Sequence, residues 1–173
     1  MALRTPGGWR KNDTAVRKGK RVLFTAEEYL FFTDRALDGM VRVLEDLGDE
    51  LVNQRPELPG ANSPYVIVNH SLGVLGFWVG RLVAGRPVER DREAEFHATG
   101  TVAEIVARVR EAQQQLRADV AAADPRAPLR EDAPPKYVGT PVGRTQGAAL
   151  QHAYEELAQH HGQLEITRDV LQA

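Results

Sequence analysis

Glu156 and His160 stand four residues apart near the end of this chain, in step with Ala149, Ala153, Leu164 and Leu171. On a helix turning about 100° per residue all six share one sector, so a carboxylate and an imidazole point at the core. Each loses hydration there, at a cost that only a partner or a cation offsets. His70 is in the same position, with Val66, Ile67, Val74 and Phe77 around it on one helical face. Two ligands at i and i+4 on one helix, with a third from a facing helix, is a common way for helical bundles to hold metals. A His, His, Glu set with an open position suits Zn²⁺ or another first-row divalent ion that carries an exchangeable water. The same spacing also fits a hydrogen-bonded Glu156–His160 pair beside an independent core histidine at position 70.

Other polar residues fall near this row. His152 continues it one turn earlier and is a candidate fourth ligand, a donor behind the ligands, or a base lining the pocket. His161 lies about 100° from His160 and is poorly aimed. Gln163 either orients the ligands or sits on the surface, and Glu165 reads as surface. Arg81, eleven residues after His70, falls on the His70 face and is a candidate contact for an anionic group of a cofactor or substrate. It also fits a snorkelling side chain near a helix end.

The elements that must position these residues are helices. Thr25 and Glu28 form a capping box, and Tyr29, Phe32, Ala36, Met40, Val43, Leu47 and Leu51 make one apolar stripe that Pro56 and Pro59 end. Ser63-Pro64 opens a second, very apolar helix that Gly85 stops; its Gly73, Gly76 and Gly80 suggest close approach of a neighbouring helix. The charged stretch Gly85 to Gly100 reads as a linker. Thr101 with Glu104 caps a third helix that ends before Pro125. Residues 124–144 hold five prolines without helical periodicity, and read as a long connection able to wall or cover a pocket. Thr145 caps the last helix. No period-2 pattern marks a strand. The expected fold is all-α: a four-helix bundle over residues 25–173, with the proline-rich connection between the third and fourth helices, preceded by a basic extension over residues 1–24.

The bulk properties narrow the function classes. The length suits one domain. A net charge of −2 gives no electrostatic reason to expect nucleic acid. With no cysteine in the sequence, a disulfide, a zinc-thiolate site and a cysteine nucleophile are excluded, so any thiol chemistry imports its thiol. The basic N-terminal stretch has no apolar run behind it, and neither a signal peptide nor a membrane anchor is expected; a cytoplasmic location is.

Two blocks, Asn69-His70-Ser71-Leu72-Gly73-Val74-Leu75-Gly76-Phe77-Trp78 and Tyr154-Glu155-Glu156-Leu157-Ala158-Gln159-His160-His161-Gly162-Gln163, resemble the DinB-like superfamily. The resemblance is nearest to its actinobacterial branch of mycothiol-dependent enzymes, and the segment Gly85 to Arg92 looks like that branch's linker. The superfamily pattern places a metal-binding histidine at His70 and a pair at Glu156 and His160, followed by Gly162-Gln163. Many members carry histidine where this chain has Glu156, which leaves zinc and nickel as candidate ions. The resemblance implies a divalent-metal enzyme that uses mycothiol, transferring or isomerising through a metal-activated thiolate, with a small thiol and an electrophile as partners. Metal-water hydrolysis, or a non-catalytic ligand-binding module of the stress response, would fit the same residues. The resemblance also implies a homodimer, for which Phe31, Phe77 and Trp78 offer aromatic surface.

Overall fold

Thr25 begins the first helix, α1 (Ala26–Leu51), by accepting the Glu28 amide at 3.1 Å while Glu28 Oε2 accepts the Thr25 amide at 2.7 Å. The computed structural model describes residues 24–173, so the expected basic extension lies, apart from Phe24, outside the described residues. Ser63 caps α2 (Pro64–Leu75), which continues through a π-helical stretch, Gly76–Val83, and stops at Gly85 with a φ of 76°. The short α3 (Arg92–Glu95) precedes α4 (Val102–Ala121), which opens on the Thr101–Glu104 capping box. Thr145 caps α5 (Gln146–Leu171). No strand occurs among the described residues.

The four long helices form the expected bundle, with α1 and α2 each packed against both α4 and α5. Contacts at the two ends fix the directions. Tyr29 of α1 reaches the Leu150 carbonyl of α5, and Gln172 beyond α5 reaches Asp46, so α1 and α5 run parallel. Asp49 accepts the Val102 amide while Asp34 pairs with Arg117, so α4 runs opposite to α1. Leu37, Met40 and Leu44 from α1, Val68 and Leu82 from the second helix, Ile105 and Val109 from α4, and Leu157 and Leu164 from α5 are buried in the shared core. Burial of this apolar area is the main force holding the bundle closed. The stretch Pro64–Val83 is long and apolar enough to cross a membrane, but 72% of that window is buried inside this bundle.

The stretch after Gly85, expected as a charged linker, carries a helical turn of its own. It returns along α2 and makes the single-turn helix α3, whose N-cap Asp91 accepts the amides of Glu93 and Ala94. One turn is too short to leave a periodic trace in the sequence. The small residues of α2 also answer to this stretch, rather than to a neighbouring long helix. A Cβ at Gly73 would lie 2.0 Å from Glu95 Oε1, and one at Gly80 would lie 2.4 Å from Arg86 Nη2. Glycine at these positions lets the linker's charged side chains lie against the helix backbone.

Trp78 is a second correction. It is 4% exposed and packed inside the bundle, so it offers no surface for a partner; of Phe31, Phe77 and Trp78, Phe31, at 62%, is the exposed one. The proline-rich connection is tied down at several points, by Arg130 N to the Leu82 carbonyl at 2.8 Å and by the buried Gln146 side chain to the Pro128 carbonyl at 3.0 Å. Within it Pro135–Tyr137 forms a 3₁₀ turn.

Candidate metal centre

His70, Glu156 and His160 are brought together across the α2–α5 interface, each offering one ligand atom within 4.8 Å of the others. On the α2 side, His70 Nδ1 lies 2.7 Å from Glu95 Oε2. A carboxylate accepts, so Nδ1 carries the hydrogen and Nε2 presents its lone pair. Glu95 is itself held by the Arg90 guanidinium, Nε to Oε1 at 2.6 Å and Nη2 to Oε2 at 2.9 Å. Phe96 stacks on the His70 ring with centroids 5.1 Å apart.

On the α5 side, His160 Nδ1 lies 2.9 Å from Gln163 Oε1, one turn on. The amide oxygen takes the Nδ1 hydrogen and leaves Nε2 bare. That nitrogen is buried without a hydrogen-bond partner and sits 3.5 Å from Glu156 Oε2. Two imidazole lone pairs and a carboxylate facing one another repel unless a proton or a cation lies between them. Ligands about 2.0–2.2 Å from one tetrahedral ion are themselves about 3.4 Å apart, close to the His160–Glu156 separation. The donor set therefore fits a divalent cation, and the hydrogen bonds on both Nδ1 atoms are the arrangement that orients metal-binding histidines.

Burial, opposed by Glu95, pushes His70 below its ordinary value. Burial also pushes the Glu95 carboxyl up, but Arg90 and His70 together hold it below the ordinary carboxylate range. His70 is therefore neutral at pH 7, as a ligand must be. Zinc uptake should be undiminished at pH 7–8 and fall progressively as pH drops below about 6.5, where protons begin to compete for imidazole. Titration with a competing chelator at several pH values would show this, and an affinity independent of pH between about 5 and 7.5 would exclude imidazole ligands.

His152 lies one turn before Glu156 and is buried, with Nε2 3.4 Å from Glu156 Oε1. Its Nδ1 lies 3.2 Å from Glu155 Oε2 and its Nε2 lies 2.9 Å from the Tyr137 hydroxyl. Arg81 is placed elsewhere: it is half-exposed and pairs with Glu131 of the proline-rich connection at 2.7 Å. The reason lies in the π-helical turns after Gly76, whose i→i+5 bonds advance each residue by less than 100° and shift the register carried over from His70. His161 packs against Gly39 of α1, where a Cβ would lie 2.1 Å from its Nε2, and its other neighbour is the surface residue Glu165 at 3.8 Å.

Several residues of the site were not singled out from the sequence. Arg90, Glu95 and Phe96 belong to the stretch after Gly85, which read only as a charged linker. Tyr137 belongs to the proline-rich connection, where its only trace was being the sole aromatic residue among prolines, glycines and charges.

A search of curated proteins returned no match. The family model for mycothiol-S-transferases matches residues 29–173, which takes in α1 from Tyr29, both halves of the His70/Glu156/His160 group and the connection that carries Tyr137. A match over most of the chain, on a four-helix bundle of the DinB-like kind, means that the chain belongs to the mycothiol-S-transferase family.

Proposed function

We propose that the protein is a divalent-metal-dependent transferase that joins the sulfur of mycothiol to a small electrophile. The observation that carries this reading is His160 Nε2, buried and unpartnered beside Glu156 and His70. His70, Glu156 and His160 would hold the ion, zinc or nickel, and three protein ligands leave a four-coordinate ion one open position. A divalent ion there supplies Lewis acidity that lowers the pKa of a thiol, which at about 8.5 is otherwise mostly protonated at neutral pH.

The chain's own residues do the rest. Glu95 and Gln163 fix the ring orientations of the two histidines by taking their Nδ1 hydrogens. His152, in contact with the second oxygen of Glu156, is the acceptor for the thiol proton. Arg81, paired with Glu131 away from the three ligands, has no part in this reading. Trp78, Phe96 and Tyr137 give the site aromatic walls that limit water around a thiolate. A cytoplasmic homodimer belongs to the same proposal, with the exposed Phe31–Phe32 pair as the surface for self-association.

The test is elemental analysis of purified protein, followed by turnover of an electrophile with and without mycothiol, before and after chelation. One ion per chain, with activity that needs both ion and thiol, is the expected result. Thiol-independent hydrolysis by the metal-loaded protein would place the activity in the metal-water class, and a chain that takes up no divalent ion would end the proposal.

A further inference from the structure

His152 is enclosed: its side chain is 7% exposed, Trp78 closes one side edge-on at 4.8 Å, and Tyr137 leans over it with centroids 4.9 Å apart. Both ring nitrogens are engaged. The Glu155 carboxylate accepts at Nδ1, so Nδ1 carries the hydrogen and Nε2 is left as an acceptor. That lone pair takes the Tyr137 hydroxyl at 2.9 Å. An imidazole whose acceptor nitrogen is already capped by a phenol has no free lone pair for a ligand's proton. Tyr137, by contrast, is only half-buried.

We infer that Tyr137 is the residue that meets the substrate thiol, and that its hydroxyl relays the thiol proton to His152. The inference rests on the transferase reading above. In the step, the S–H bond breaks with its electron pair kept by sulfur, and the proton bonds to the Tyr137 oxygen as the tyrosine's own proton passes to His152 Nε2. The products are a thiolate and an imidazolium, with the phenol neutral before and after. The imidazolium stands between two carboxylates, Glu155 at Nδ1 and Glu156 Oε1 at 3.4 Å from Nε2. Glu156 also links the two ends of the site, because its Oε2 faces His160 Nε2 at 3.5 Å.

The fold holds the tyrosine for this. Pro134 and Pro135 fix the entry to its 3₁₀ turn, and Gly139, with a φ of 80°, turns the chain away after it. The Tyr137 ring is wedged edge-to-face on Trp78 at 4.9 Å, and the Lys136 ammonium lies 4.6 Å from its centroid. With the ring so packed, Tyr137→Phe removes the hydroxyl and little else.

The experiment compares wild type, Tyr137→Phe, His152→Gln and the double variant in metal-loaded full-length protein. Both single variants should keep one zinc per chain and a melting temperature close to wild type. Tyr137→Phe should lower kcat by about 100-fold, the scale of one proton-transfer group, with KM changed less than about twofold. The double variant should be no slower than the slower single, because both residues serve one relay. A second readout needs no turnover: in zinc-free protein, the ¹⁵N resonance of His152 Nε2 should move toward that of an imidazole without a hydrogen bond in Tyr137→Phe. Full turnover in Tyr137→Phe, losses that multiply in the double variant, or an unmoved Nε2 resonance would overturn the relay alone. A wild-type protein without thiol-dependent turnover would overturn the transferase reading, and the relay with it.

Discussion

Replacing His160 with alanine is expected to remove zinc binding and thiol-dependent turnover together. Residues one step behind a metal ligand are commonly worth about 10–100-fold in affinity, so loss of a ligand itself should weaken zinc binding by more than about 100-fold, or beyond about 2.7 kcal/mol. The fold should not suffer. His160 is part-exposed on α5, alanine is a good helix former, and the only hydrogen bond lost is to the neighbouring Gln163. The metal-free variant should even match or exceed metal-free wild type, because a buried nitrogen without a partner costs about 1–3 kcal/mol and disappears with the side chain. A chelator competition for affinity and a thermal melt for stability separate the two effects. Wild-type turnover in the His160→Ala protein would show that the metal-thiolate reading is wrong.

Glu95→Ala should act on both stability and metal. Arg90 and Glu95 have side chains 15% and 10% exposed, so removal of the carboxylate leaves a guanidinium without its bidentate partner in a mostly buried place. Breaking a buried pair from one side costs about 3–5 kcal/mol, and the partial exposure of Arg90 favours the lower end. At roughly 2–4 °C per kcal/mol for a chain of this size, the melting temperature should fall by about 6–12 °C. His70 also loses the acceptor that fixes its Nδ1 hydrogen, so zinc affinity should drop by about 10–100-fold even with all three ligands present. Glu95→Gln keeps an acceptor for His70 but not the charge that Arg90 needs, and should fall between wild type and alanine in both measurements. An unchanged melt and an unchanged zinc titration in Glu95→Ala would show that the Arg90–Glu95–His70 chain contributes nothing to either.

Regular helices carry their periodicity in the sequence, and so the residues set by that periodicity were legible. Thr25, Ser63, Thr101 and Thr145 each cap the helix expected of them, because an N-cap is a local event between residues two or three apart. Glu156 and His160 share a face for the same reason, and His152 joins them one turn earlier. Where the helix stops being regular the reading slips. Arg81 lies within a π-helical stretch, and a register counted at 100° per residue places it on the His70 face while the structure pairs it with Glu131. Trp78 reads as a spare aromatic until the proline-rich connection is folded back, when Tyr137 and His152 cover it.

The sequence by itself determined the four long helices, their caps, the absence of thiol chemistry from the chain's own side chains, and the Glu156–His160 pair. Each of these follows from residue type or from spacing within about one helical turn, whereas His70 joined that pair only through its place on an apolar face and the family resemblance. Tertiary structure alone decided what stands behind and around those residues: Arg90 and Glu95 on His70, and Tyr137 and Glu155 on His152. Glu95 is 25 positions from His70, and Tyr137 is 15 from His152 on a connection without helical period. No local preference brings such pairs together. They meet because closing the bundle's apolar core lays the linker over Gly73 and pulls the proline-rich connection across the end of α2, and hydrogen bonds out of water then select the partners.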